Sequence, residues 1–272
     1  MNRTLKIFLA VVAVVALGAG GFRVFRHESN LVPAIVTPQM DIHDEFSGDF
    51  SARLYRVVHQ TIAAGNAPRP RLIALTFDDG PYPIFTPLLL DELHKYGVPA
   101  TFFLIGRDAQ QWPEITQRIE ADGNEIADHT YSHPNLDQET PAEVQEEVLR
   151  GRDVLWSIAH DPSVKFLMRP PHGRYTQTTL RTLQGIGYHV VLWTDDSGDW
   201  RSLSPERIAS DMIRHATAPD IVLLHSGKLA TIEALPIVIE RFRRAGYRFV
   251  TVGEMLRLTS PQAINHPART AV

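Results

Sequence analysis

At 272 residues, with 44% hydrophobic and 21% charged side chains, the chain has the composition of a globular protein that can bury one substantial core. A formal net charge of -4 gives no electrostatic ground for nucleic acid as a partner. The absence of cysteine excludes disulfides, thiolate metal sites and a catalytic thiol.

The chain opens with Arg3 and Lys6 ahead of an almost uninterrupted apolar stretch over residues 7–22, followed by Arg23 and Arg26. That is the pattern of an export segment. As a helix it would run about 24 Å, against a hydrocarbon core of about 30 Å. Small residues at Ala16, Gly18, Ala19 and Gly20 permit cleavage, whereas Arg23 and Arg26 permit a retained, snorkelling span. The expectation for residues 1–27 is a signal peptide or membrane anchor, with membrane contact only if it is uncleaved. Either outcome places the rest of the chain in the cell envelope or outside the cell. Residues 28–70 read as a polar, proline-broken spacer with one helix-like piece at 50–64.

From Arg71 onward, short apolar runs alternate with amphipathic stretches. Strands are expected at 71–77, 100–105, 125–128, 166–169, 188–193, 221–225 and 248–252. Helices are expected at 85–96, 114–121, 141–159, 178–184, 205–215 and 232–245. Thr140 and Glu143 form a capping box at the start of the third helix. Seven strands alternating with helices predict an α/β fold with parallel strands over residues 71–258, where seven or eight such units can close into a barrel, with a tail at 259–272. The conspicuous polar residues mostly follow the C-terminal ends of expected strands, the end of a βα-barrel where sites are built.

The first such group is Thr76-Phe77-Asp78-Asp79-Gly80-Pro81, where a buried strand ends in two adjacent carboxylates. Neighbouring carboxylates repel when both are ionised, which favours different tasks for them, such as metal ligand and general base. In His129-Thr130-Tyr131-Ser132-His133, two imidazoles stand at i and i+4, which one helical turn would bring to the same side. With Asp79 they make a two-histidine, one-carboxylate set with open positions, suited to a catalytic divalent ion. Zinc is the expected ion; cobalt and nickel also suit the set. Arg169-Pro170-Pro171-His172-Gly173 offers a buried arginine able to orient a carboxylate. Asp196-Ser197-Gly198-Asp199-Trp200 supplies two carboxylates and a large apolar wall, and Leu223-Leu224-His225 ends a strand in an imidazole suited to protonating a leaving amine.

These five stretches, in this order, resemble the polysaccharide deacetylase family, also called the NodB-homology or carbohydrate esterase family 4 enzymes. The resemblance implies a distorted (β/α) barrel and metal-assisted removal of acetyl groups, chiefly N-acetyl, from a GlcNAc-containing polysaccharide such as peptidoglycan, chitin oligomers or poly-N-acetylglucosamine. It implies Asp78 as general base, Asp79, His129 and His133 as metal ligands, and His225 as general acid. It further implies that Arg169 orients Asp78 and Asp199 orients His225. Trp200 and Leu223 would line the acetyl-methyl pocket, and Pro171 with His172 would meet substrate, His172 through its peptide N–H. The expected partner is an acetylated glycan, and the expected state is a monomer. Two residues depart from the family's pattern: His172 stands where an aromatic, commonly tyrosine, is usual, and Ser226 where aspartate is frequent. Two other readings remain. One is an inactive glycan-binding protein of the same fold; the other is a serine hydrolase built on Ser226, His225 and an aspartate, against which stand strand alternation and the lack of a Gly-x-Ser-x-Gly elbow.

Overall fold

The computed structural model describes residues 70–259. The expected signal or anchor, the spacer before residue 70 and the tail beyond 259 lie outside these residues. Among the described residues, no helix is long and apolar enough to cross a membrane.

Eight parallel strands form one sheet: β1 (Leu72–Asp78), β2 (Thr101–Leu104), β3 (Glu125–Asp128), β4 (Leu167–Met168), β5 (His189–Val190), β6 (Asp195–Asp196), β7 (Asp220–His225) and β8 (Arg248–Phe249). Hydrogen bonding runs in the order β5-β4-β3-β2-β1-β7-β6, with β8 also paired to β1. Because β5 and β6 stand at opposite ends of that order, the fold is a distorted (β/α) barrel. The helices are α1 (Phe85–Tyr96), α2 (Gly106–Gln111), α3 (Pro113–Ala121), α4 (Pro141–Ile158), α5 (Gln177–Gly185), α6 (Pro205–His215), α7 (Leu229–Arg244) and α8 (Val252–Thr259). Thr140 caps α4 with the expected reciprocal bonds to Glu143.

Strand alternation separates two kinds of packing. Ile73, Leu75 and Phe77 of β1 join Phe102, Leu104, Val222 and Leu224 in the core beneath the helices, where Phe77 stacks on Phe102. Leu72, Ala74, Phe103, Ala127, Leu167 and Ile221 instead fill the barrel interior. Continuing the interior series towards the C-terminal strand ends changes its chemistry. After Leu72 and Ala74 come Thr76 and Asp78; after Ala127 comes His129; after Leu167, Arg169; after Ile221, Leu223 and His225. The same period-two rule that buries apolar side chains lower in the barrel thus delivers polar ones to its mouth.

Three local expectations need correction. Residues 188–193 do not form one strand: only His189 and Val190 pair, because Val191 and Leu192 turn their carbonyls to the Arg169 guanidinium. Residues 248–252 end as a strand at Phe249, and Val252, whose N–H donates to Thr101 Oγ1, starts α8. Helix α2 was not foreseen, since its six residues, Gly106–Gln111, are too few to show a period.

At the end of the barrel away from the mouth, Glu125 is buried and accepts from Thr101 Oγ1 (2.8 Å), Ser163 Oγ (2.8 Å) and Gly253 N, joining β2, β3 and α8. Glu125→Ala leaves those buried donors short of an acceptor. It should lower the free energy of unfolding by about 2–3 kcal/mol, read by urea denaturation, while kcat stays unchanged.

Candidate active site

Asp78 and His225 are register partners on adjacent strands, and Thr76 and Leu223 are the pair one layer below. Arg169, with no exposed surface, rises into the same layer from the end of β4. Its NH1 donates to Asp78 Oδ1 at 2.6 Å and to Thr76 Oγ1 at 2.8 Å, while Nε and NH2 donate to the carbonyls of Val191 and Leu192. Burial pushes the Asp78 carboxyl above its ordinary value, and the Arg169 charge and hydrogen bond oppose that rise.

Asp79 turns away from Asp78 because its backbone leaves the strand at φ 69. Gly80 follows at φ +71, where an added Cβ would stand 2.7 Å from Ser226 Oγ, so the turn needs glycine both for its conformation and for space. The Ser226 hydroxyl is buried and donates to the carbonyls of Asp78 and Asp79. It holds this turn, an arrangement unlike that of a nucleophile.

His129 Nδ1 donates to the carbonyl of Arg169 at 2.7 Å, which leaves Nε2 as a lone-pair donor toward the mouth. Burial lowers the His129 pKa to about 3 and lowers that of His133 as well, so both rings are neutral and competent to bind a cation. Asp79 Oδ1 lies 3.3 Å from His133 Nε2 and 3.8 Å from His129 Nε2. All three ligand atoms are within 4.8 Å of one another. Donors about 2.1 Å from one ion at tetrahedral angles stand roughly 3.4 Å apart, so the set fits a divalent ion of zinc's size. The two histidines meet by a different route from the one expected. No helical turn joins them; a loop does, with Thr130 at φ 69 and His133 at φ 67.

On the other side, His225 Nδ1 donates to Asp199 Oδ1 at 2.7 Å and its N–H donates to Asp199 Oδ2 at 2.8 Å. Burial by itself would lower this imidazole. The hydrogen bond and charge of Asp199, with the charges of Asp78 and Asp79, outweigh burial and push it up to about 9. Thr231 of α7 donates to Asp199 Oδ2 at 2.7 Å, a support invisible in the sequence because it comes from another segment and carries no motif. Asp196 shapes its own loop, accepting from Gly198 N and from Trp200 Nε1. Trp200 is 52% exposed, while Leu223 is buried. Pro171 opens a short turn in which His172 is exposed at φ 56, with its Nδ1 on Asn135 Oδ1 and its ring edge-on to His133.

A parallel (β/α) barrel with a carboxylate pair, an imidazole pair and a carboxylate-bound histidine at its mouth is the build of a hydrolase. The polysaccharide deacetylase family model matches residues 65–191. The chain is 36% identical over 192 residues to a peptidoglycan-N-acetylglucosamine deacetylase of Bacillus cereus, covering 69% of this chain and 89% of that one. It is 37% identical over 197 residues to a chitooligosaccharide deacetylase of Bradyrhizobium sp., covering 67% and 90%. The crystal structure of the Bc1960 peptidoglycan N-acetylglucosamine deacetylase superposes with a TM-score of 0.66 at 33% identity, over 69% of this chain and 89% of that one. The chain belongs to the polysaccharide deacetylase family and is an enzyme of that class. The family model ends before Asp199 and His225, so that pair is defined here by its geometry.

Asp199→Asn removes the charge that raises His225. The His225 imidazole, followed by NMR, should then titrate at lower pH than in the wild type, and an unchanged midpoint would contradict the origin given for the shift.

Proposed function

We propose that the protein removes N-acetyl groups from a GlcNAc-containing polysaccharide outside the cytoplasm, with a divalent ion held by Asp79, His129 and His133. The observation that carries this reading is the convergence, at one barrel mouth, of two neutral imidazoles with a carboxylate, an arginine-held carboxylate and a charged imidazole. The similar proteins are named for peptidoglycan N-acetylglucosamine and for chitooligosaccharides, both of which present an acetamido sugar. Zinc is the ion the donor set suits best, and it would polarise the acetamide carbonyl and acidify water.

Asp78 takes the proton of the attacking water. Arg169 binds Oδ1 and leaves Oδ2 on the side of His129 Nε2, 3.8 Å away, so the free oxygen faces the ligand set. As the water oxygen bonds to the carbonyl carbon and the C–N bond breaks, the departing nitrogen needs a proton, because an amide anion is a very poor leaving group. His225 supplies it from Nε2, since Nδ1 is committed to Asp199. Acetate and a free amine leave. The His172 peptide N–H steadies the carbonyl oxygen, Pro171 fixes that turn, and Trp200 with Leu223 encloses the acetyl methyl. Residues 7–22, read as an export segment, put this unit where such polymers are found.

Two substitutions separate proton transfer from metal binding. Asp78→Asn should keep its metal and fold while acetate release falls by about 10²- to 10⁴-fold, and near-normal turnover at full metal occupancy would contradict the base assignment. His129→Ala or His133→Ala should lose metal and activity together; wild-type metal content in either purified variant would contradict the ligand set.

A further inference from the structure

The loop between the two histidine ligands has positive φ at Thr130 and His133, and its own side chains account for only part of that shape. Its N–H groups are nevertheless all satisfied. His129 N donates to Leu104 O, Thr130 N to Asp128 Oδ1, and His133 N to Thr130 Oγ1. The two remaining amides go to one residue of α4. Tyr131 N donates to the Glu147 carbonyl at 3.0 Å and Ser132 N to Glu147 Oε2 at 2.8 Å, while Ser132 Oγ donates to Glu147 Oε1 at 2.9 Å.

Such close approach of a helix to a loop backbone requires space. At Gly151, one turn further along α4, an added Cβ would stand 2.8 Å from Asp128 Oδ1 and 2.9 Å from the Thr130 carbonyl carbon. At Gly106 it would stand 3.0 Å from the Gly151 Cα. Glycine inside a helix is less favourable than alanine, so Gly151 carries a local cost that the seating of the loop offsets. The N–H groups of Gly106 and Arg107, opening α2, donate to the carbonyls of Thr130 and Tyr131 and hold the loop from its other edge.

We propose that Glu147 is a positioning residue for the metal. By holding Ser132 through two side-chain hydrogen bonds, beside the backbone bond from Tyr131 N, it sets the spacing between His129 and His133 before any ion arrives. Glu147 is not one of the three converging ligand residues, and it lies outside the five motif stretches. The proposal rests on the reading of His129 and His133 as ligands. Its consequence is preorganisation: without Glu147 the ion must itself order the loop on binding, and affinity falls.

The test is the zinc dissociation constant of the whole chain, measured by competition with a chromophoric chelator, beside the thermal midpoint of metal-free protein. Glu147→Ala should bind zinc about ten- to a hundredfold more weakly, with the metal-free midpoint little changed. Glu147→Gln should restore affinity, because its carbonyl accepts from Ser132 N and its amide donates to a reoriented Ser132 hydroxyl. Should Glu147→Ala fail to fold, Ser132→Ala decides the matter: it removes one of the three bonds and should weaken zinc about three- to tenfold. Wild-type zinc affinity in Glu147→Ala, or in Ser132→Ala where that variant decides, overturns the proposal while His133→Ala loses zinc. If His133→Ala also keeps zinc, the ligand assignment itself fails and the proposal goes with it.

Discussion

A guanidinium with no exposed surface is the constraint on which the rest of the barrel mouth depends. Burying that charge is tolerable only if its donors find partners, and four of the five N–H groups of Arg169 do so, with Asp78, Thr76 and the carbonyls of Val191 and Leu192. The cost is visible in the fold, because Val191 and Leu192 give their carbonyls to the guanidinium and the strand stops at Val190. Arg169 also reaches the ligand set, since its carbonyl fixes the His129 tautomer. One residue therefore holds the carboxylate assigned to proton transfer and orients an imidazole assigned to the metal. Truncating one partner of such a buried pair generally costs about 3–5 kcal/mol, so stability and chemistry are tied together here.

The second organising feature is the separation of adjacent carboxylates. Asp78 ends a strand and points into the barrel beside Arg169; Asp79, one residue later, adopts a left-handed backbone and faces His133. The like charges of neighbouring residues are thus given different counter-groups. Across the mouth, Asp199 does for His225 the reverse of what burial does for His129. Two imidazoles in similar surroundings end with opposite protonation, one neutral for a cation and one charged for proton donation.

Much of this was readable from residues alone, and the reason is specific. Asp78, His129, Arg169 and His225 each stand at or just beyond the C-terminal end of an expected strand, where a polar residue is conspicuous. The Thr140 and Glu143 cap was equally local, and α1 keeps its expected bounds at Phe85–Tyr96. What escaped depends on contacts between distant segments. Thr231 beneath Asp199 and Glu147 behind the histidine loop are ordinary helix residues until the fold brings them up. The left-handed turn at Thr130 was unreadable in part for the same reason, since α2 and α4 complete a shape that local bonds to Asp128 and Thr130 only begin, and a helical i, i+4 pair was the simpler reading of the same letters.

The proposed mechanism commits each group to one task. Arg169 holds the carboxylate proposed as base, Asp199 charges the imidazole proposed as acid, and the interior alternation that packs the barrel delivers both to one mouth with the proposed ligand set. Acetate release from N-acetylglucosamine polymers, followed while metal-stripped protein is titrated with zinc, tests this most directly. The account predicts no release without metal and a rise that saturates at one ion per chain, with one free amine formed per acetate. Full activity in the stripped protein would contradict it.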